Sequence, residues 1–258
     1  NTLSLTGQGL QGDGTINYRT STSVSEAFTF FPDSTSGIAQ FDNKGQGKPY
    51  EVPNVKGEGV SVTYVPESDI LYARSVGKKK LEFMDGESTL KGGLSLTENG
   101  MTGRGRMLIK DAQLLARKFT YRERKILSDT AEFILSALDV QEDEGQIGLE
   151  TNNVSASVDF DERIGNFKSN NENEPLLFPE NQYICFMDEI KWFMDDDGLE
   201  FQKKTALEVE STEFEKPNFY SVHPKQDSLS FMAPKARFDR RSKKISCTEV
   251  PFMDIADA

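Results

Sequence analysis

Apolar and polar residues alternate along most of this chain, and the alternation breaks at short polar clusters. Residues 59–73 (GVSVTYVPESDILYA) run apolar-polar-apolar into a Pro-Glu-Ser-Asp cluster and resume beyond it. Residues 153–169 and 228–250 do the same. A period of two places successive side chains on opposite faces of an extended backbone, so each stretch predicts strand, turn, strand. An aromatic followed three residues later by Arg recurs where these hairpins turn, as Tyr121/Arg124, Phe160/Arg163 and Phe238/Arg241. The ring is expected to pack inward while the charged tip stays in water. Residues 178–202 (FPENQYICFMDEIKWFMDDDGLEFQ) are apolar on both faces. They predict a well-buried strand, a turn at Asp195-Asp196-Asp197-Gly198 and a returning strand, with a helix over 180–194 as the competing reading. Two segments rich in Gly, Pro, Asn and charge, 42–59 and 169–182, read as mobile loops.

A pattern seen at the start of the chain returns further on. Residues 3–14 (LSLTGQGLQGDG) and 94–105 (LSLTENGMTGRG) share seven of twelve residues at an offset of 91. The same offset places Phe28-Thr29-Phe30 on Phe119-Thr120-Tyr121. After one inserted residue, Ala39 and Phe41 fall on Ala131 and Phe133. The chain is therefore internally duplicated.

The duplication settles two ambiguities. Gly7-x-Gly9-x-x-Gly12 is spelled like a dinucleotide fingerprint, but in the second copy Gly7 is replaced by Glu98, whose carboxylate would repel a pyrophosphate. The residues that follow are Thr, Ser, Val and Phe instead of a helix opening at the last glycine. The glycines are expected to serve turns, bulges or close backbone approach. Residues 111–127 (DAQLLARKFTYRERKIL) are rich in helix formers. Their counterpart, 20–36, is β-branched and contains Pro, so both are predicted to be strands.

Composition narrows the function more than it names it. Thirty Lys and Arg against forty-two Asp and Glu leave a net charge of −12, which argues against nucleic acid as a general partner. No apolar run approaches the ~18 residues needed to span a bilayer as a helix. The chain begins at Asn1 in strand-like sequence, as an excised or mature fragment would, so the lack of a leader says nothing about compartment. Cys185 and Cys247 are too few for a disulfide scaffold or a zinc site. They read as two separate buried thiols, with a bridge between them as the alternative.

Candidate chemistry is sparse. His223 is the only histidine, in SVHPKQD, with no Gly-x-Ser-x-Gly elbow elsewhere, and it reads as a turn residue. Asp195–Asp197 with Gly198 and Glu200 invites a calcium reading, but the spacing does not fit an EF-hand loop and an Asp-Gly turn explains it. Lys78-Lys79-Lys80 and Arg240-Arg241-Ser242-Lys243-Lys244 read as solvated hairpin tips, or else as docking patches for an acidic partner or lipid headgroup. Asn153-Val154-Ser155 is a glycosylation sequon. No catalytic, cofactor-binding or metal-ligating residue is assigned.

Three stretches taken together resemble a known group. NQYICFMDEIKWFMDDDGLEF, DSLSFMAPKARFDRRSKKISC and VPFMDIADA resemble long, poorly characterised cell-envelope β-repeat proteins of Bacteroidota. SFMAPKARFDRRSKKISC is also similar to the repeat of the lipopolysaccharide-transport β-jellyroll proteins (LptA/OstA-like). The resemblance implies a periplasmic or outer-membrane-associated protein without catalytic activity: a scaffold, a lipid conduit, or an accessory of an outer-membrane transport or secretion machine such as the type 9 translocon.

The expectation is an all-β, internally duplicated antiparallel architecture, either an elongated jellyroll-like stack or two tandem β-sandwiches. A first β unit would cover 1–91, a second with insertions 92–225, and the start of a further unit 226–258. The expected function is a non-enzymatic envelope scaffold or binding module that needs no cofactor and does not span the membrane. Its partner would be a protein or further repeats of a longer chain, with lipid or glycan also open. The alternative is a carbohydrate-binding or carbohydrate-active β protein using Tyr64, Tyr72 or Trp192 as sugar platforms. Burial of the aromatics at matched repeat positions discriminates the two.

Overall fold

The computed structural model describes residues 2–7, 9–137, 147–204, 216–226 and 229–254. Among these residues there are twenty-two β-strands and no helix, and hence no helix long and apolar enough to cross a membrane. The registered strand pairs are antiparallel. The fold is all-β, and period-two patterning is what produces it.

The first copy supplies β1 (Leu3–Thr6), β2 (Gly9–Tyr18), β3 (Ser21–Phe30), β4 (Thr35–Asn43), β5 (Val55–Val65), β6 (Ile70–Arg74) and β7 (Leu81–Phe83). The second supplies β8 (Ser88–Thr97), β9 (Gly100–Ile109), β10 (Ala112–Tyr121), β11 (Lys125–Ser136), β12 (Ile147–Asp159), β13 (Ile164–Ser169) and β14 (Leu176–Phe178). The remaining strands are β15 (Tyr183–Cys185), β16 (Glu189–Phe193), β17 (Gly198–Gln202), β18 (Phe219–Ser221), β19 (Ser230–Phe231), β20 (Lys235–Asp239), β21 (Lys244–Thr248) and β22 (Met253–Asp254). The chain clusters into two compact units, 1–110 with 115–128 and 111–114 with 129–258. The second copy thus begins inside the first compact unit.

The two copies share backbone detail as well as strand order. The β1–β2 and β8–β9 hairpins both place a threonine hydroxyl on a glycine carbonyl, Thr6 on Gly9 and Thr97 on Gly100, each at 3.3 Å. Gly9 and Gly100 have φ of +104° and +116°, a region that strains any residue with a Cβ. β3 and β10 show the same buried and exposed sequence over their first nine positions, although their intrinsic propensities point in opposite directions. Tertiary burial of Ala112, Leu114 and Phe119 overrides the helix preference of β10.

The duplication extends further than the sequence identities. β5 is long: one edge pairs with β4, and the other serves two partners, β6 through Ser61–Val65 and β7 through Val55–Lys56. β12 repeats this with β13 and β14. Each long strand changes partner at a left-handed residue, Gly59 (φ +63°) in β5 and Asn153 (φ +49°) in β12. By this pairing the counterpart of Leu81-Glu82-Phe83 is Leu176-Leu177-Phe178. The first tripeptide recurs as Leu199-Glu200-Phe201, but there it lies in β17, which pairs with β16 and β20.

In the second unit the chain passes back and forth between two sheets that start from β12. One runs β12-β13-β16-β17-β20-β21 and the other β12-β14-β15-β18-β19-β22. Their inner faces meet where the Phe178 ring of the second sheet lies 5.6 Å from Phe201 and 5.3 Å from Phe238 of the first. Such edge-on contacts add about 0.5–1.5 kcal/mol beyond area burial. The crossing from β19 to β20 takes only Met232-Ala233-Pro234. The buried Asn218 side chain satisfies it in both directions, accepting from Ala233 N at 2.8 Å and donating to Ala233 O at 2.9 Å.

Several sequence expectations change. In residues 178–202 the turn at Asp195–Gly198 and the returning strand β17 form as read, but the stretch before the turn is neither a helix nor one strand: β15 and β16 lie in different sheets, separated by Phe186-Met187-Asp188. The supposed loop 42–59 anchors the core through the buried Val52 and Val55, and 169–182 contains β14. Both look polar because Gly, Pro and Asn are needed where strands cross or bend, while single apolar residues between them are buried. Asp227, Ser228 and the terminal stretch 255–258, part of the sequences quoted above, lie outside the described residues.

Candidate functional site

The opening glycines serve side-chain packing and chain reversal. A Cβ on Gly12 would meet Leu3 Cδ2 at 2.7 Å and Phe30 Cε2 at 3.3 Å. A Cβ on its counterpart Gly103 would meet Tyr121 Cε2 and Oη, both at 2.8 Å. In each copy the space that a fingerprint would give to phosphate is taken by a cross-strand neighbour, an aromatic ring in both. The third matched pair differs. Gly105 has φ of +126° and lies against Lys91 and Gly92 in β8, whereas nothing surrounds the Cβ position of Gly14.

The acidic turn is neutralised by arginines. Arg163 grips Asp195 with Nε and Nη2 at 3.0 and 2.9 Å. Arg237 donates to Asp196 at 2.7 Å and to Glu200 at 2.9 Å, and Arg241 to Asp197 at 2.6 Å. Three guanidiniums fill the positions a cation would neutralise, and among the described residues no cluster of three or more metal-type ligands forms. The aromatic/Arg spacing identifies two of these arginines. Arg237 sits mid-strand, and no sequence signal marks it. The rings of that spacing, Tyr121, Phe160 and Phe238, are buried as expected. Arg124 pairs with Glu87 at 2.7 Å.

Other candidates resolve into structural parts. His223 Nδ1 accepts from Lys225 N at 3.1 Å inside a turn. Asn153 is the bend of β12, its Oδ1 accepting from Asn170 at 3.2 Å. Arg240 departs from a solvated tip: it is buried, reaching Ser136 O at 2.8 Å and Asp111 Oδ2 at 3.2 Å. Both cysteines are free thiols. Burial, and secondarily the charge of Cys247, holds Cys185 well above its ordinary value. Burial raises Cys247 to about 11. Thiols so poised are poor nucleophiles at neutral pH.

The aromatics proposed as sugar platforms do not assemble. Trp192 is buried, and Tyr64 is half-buried with its ring 5.3 Å from Tyr18. Tyr72 alone is exposed. Of the matched aromatics, Phe28, Phe119, Phe41 and Phe133 are buried. A groove of about 680 Å³ in the first unit is lined by Lys56 and Lys78–Lys80 but also by Asp42, Glu58 and Glu82. Its charges largely cancel.

The surface that stands out is a sheet face. β1–β2–β3 registers Leu3 with Gly12 and Phe28, and Leu5 with Leu10, on one side. Leu3, Leu5, Leu10 and Phe30 are 68%, 87%, 38% and 39% exposed. Their counterparts Leu94, Leu96, Met101 and Tyr121 are 2%, 0%, 1% and 1% exposed. In the second copy β6 lies along β8, pairing Leu71 with Leu96 and Ala73 with Leu94, and the Phe83 ring rests 4.8 Å from Tyr121. In the first copy β2 is the only strand registered with β1 among the described residues. The same apolar face is therefore covered in one copy and open in the other. The sequence identities pair these residues, but which copy is covered depends on long-range strand order. No family model, curated protein or solved structure matches this chain.

Proposed function

We propose that this chain is a non-enzymatic β-repeat scaffold or binding module of the cell envelope, periplasmic or outer-membrane-associated, working as part of a transport or secretion assembly. The observation that carries the reading is the apolar face of β1–β3. One copy of the module presents to solvent the residues that the other copy packs away, and an exposed apolar sheet face beside an edge with no registered strand among the described residues is what strand addition uses. The burial of Phe28, Phe119, Tyr121, Phe41 and Phe133, five of the six matched aromatics, favours this over a sugar-binding surface. So does the use of each acidic turn residue in an arginine pair, which leaves no carboxylate pair poised for hydrolysis among them. The resemblance of 181–201 and 227–247 to envelope repeat proteins is what supports the proposed compartment.

The test is cross-linking in native envelopes followed by purification of the chain. The expected result is recovery in the envelope fraction, joined to a defined protein partner whose cross-links map to residues 3–10 and 30. Recovery in the cytosolic fraction, uncross-linked, overturns the proposal.

A further inference from the structure

Among the described residues, the strand edge that β1 leaves unregistered has a counterpart elsewhere in the same chain. The hairpins β5–β6, β12–β13 and β20–β21 are built alike. Each closes with a four-residue tip, between Val65 and Ile70, Asp159 and Ile164, and Asp239 and Lys244. The last tip residue is left-handed in all three: Asp69, Arg163 and Lys243, with φ of 49°, 59° and 55°. The returning strand of each earlier hairpin has its outer edge occupied. β6 pairs with β8, β13 with β16 and, in the intervening β16–β17 hairpin, β17 with β20. β21 is registered only with β20 among the described residues.

We infer that β21 of one molecule adds to β1 of a second copy of this chain, in the register that β6 takes on β8. Superposing the tips puts Ile245 in the place of Leu71 and Cys247 in the place of Ala73. The duplication puts Leu5 in the place of Leu96 and Leu3 in the place of Leu94. The pairs Leu71–Leu96 and Ala73–Leu94 thus become Ile245–Leu5 and Cys247–Leu3. Both are apolar against apolar and both lie on the face that the fold buries. Ser246 falls opposite Ser4 on the other face, as Tyr72 falls opposite Ser95. Ile245 and Cys247 are half-buried while Lys244, Ser246 and Thr248 are exposed, the alternation that a strand awaiting a neighbour carries. A one-residue slip would place Lys244, Ser246 and Thr248 on the apolar side, so the register is specified. The two edges differ, so the contact is head-to-tail and each molecule keeps one edge free after the first association.

This inference names the partner of the face on which the scaffold reading rests, and it is tested separately, with the purified 258-residue chain alone. Sedimentation should show self-association that rises with concentration. Leu5→Asp and Ile245→Asp should each weaken it by at least about tenfold, because a carboxylate would be buried without a partner. An equimolar mixture of the two variants should form dimers and stop there, since each retains one competent edge. Leu3→Cys should give an intermolecular disulfide with Cys247 on oxidation, as directly opposed strand residues lie within disulfide reach. Ser4→Cys, on the opposite face, should not. The cross-link does not depend on the aspartate variants folding. A chain that stays monomeric at all concentrations, a variant mixture that forms nothing, or equal cross-linking from Ser4→Cys overturns the inference. Such a failure leaves the envelope-partner result untouched.

Discussion

Gly105 and Gly14 occupy the same place in the two copies, yet the structure gives them opposite tolerance to a methyl group. At Gly105 φ is +126°, and an added Cβ would sit 2.5 Å from the Lys91 carbonyl oxygen and 2.7 Å from Gly92 Cα. Both neighbours are backbone atoms held in the β8–β9 ladder by the Gly92–Gly105 pair, so they cannot swing away as a side chain would. An unfavourable φ costs about 1–3 kcal/mol, and forcing packed strands apart costs about 1–3 kcal/mol more. Gly105→Ala should therefore destabilise the protein by about 2–6 kcal/mol. At Gly14 nothing lies within 4 Å of the Cβ position and φ is not left-handed. Gly14→Ala should be neutral or stabilising by up to about 1 kcal/mol, through the reduced freedom of the unfolded chain. Urea unfolding followed by far-ultraviolet circular dichroism measures both. With a slope of about 1–3 kcal/mol per molar, the two midpoints should separate by about 1 M or more. Equal shifts would refute the argument that the repeated glycines diverged because their strand neighbours differ.

Three further outcomes follow from the same coordinates. Among the described residues the buried Tyr121 hydroxyl has no hydrogen-bond partner, and the first copy carries Phe30 at this position. Tyr121→Phe should raise stability by about 1 kcal/mol in urea unfolding, and a loss of more than that would show a hidden partner. Burial raises the Cys247 thiol from 9.0 to about 11 in the folded protein, so between these values the folded state holds more protons than the unfolded one. Stability from this group is complete below pH ~9 and declines as pH rises toward ~11. Cys247→Ser should remove that alkaline slope in pH-dependent unfolding, and a slope that persists unchanged would contradict the assignment. The bidentate Arg163–Asp195 pair is exposed, so Asp195→Asn should cost no more than about 1 kcal/mol and the difference should vanish in high salt. A salt-independent loss would mean that the tip depends on the two acceptor oxygens of Asp195, both used by Arg163, more than on its net charge.

Much of the fold could be read before any coordinates. Alternation at 59–73, 153–169 and within 228–250 reflects the geometry of an extended backbone, which any strand must obey whatever it packs against. The duplication carried this further, identifying β10 as a strand against its own helix propensity and removing the phosphate reading of Gly7, Gly9 and Gly12. The inward rings of Tyr121, Phe160 and Phe238 were legible because an aromatic beside a charged tip has only one face to bury.

What the sequence left open concerned partners far along the chain. Leu3 and Leu94 sit in identical four-residue contexts, and nothing local distinguishes them. Only the long-range pairing of β6 with β8 leaves one exposed and the other covered. Asp195–Asp197 resembles a cation site until strands from two other hairpins bring arginines to it. Arg240 reads as solvated until its carbonyl and carboxylate partners, more than a hundred residues earlier, are placed beside it. Burial and charge neutralisation are properties of neighbours in space. In a sheet assembled by crossing strands, those neighbours are chosen by topology, which local patterning does not encode.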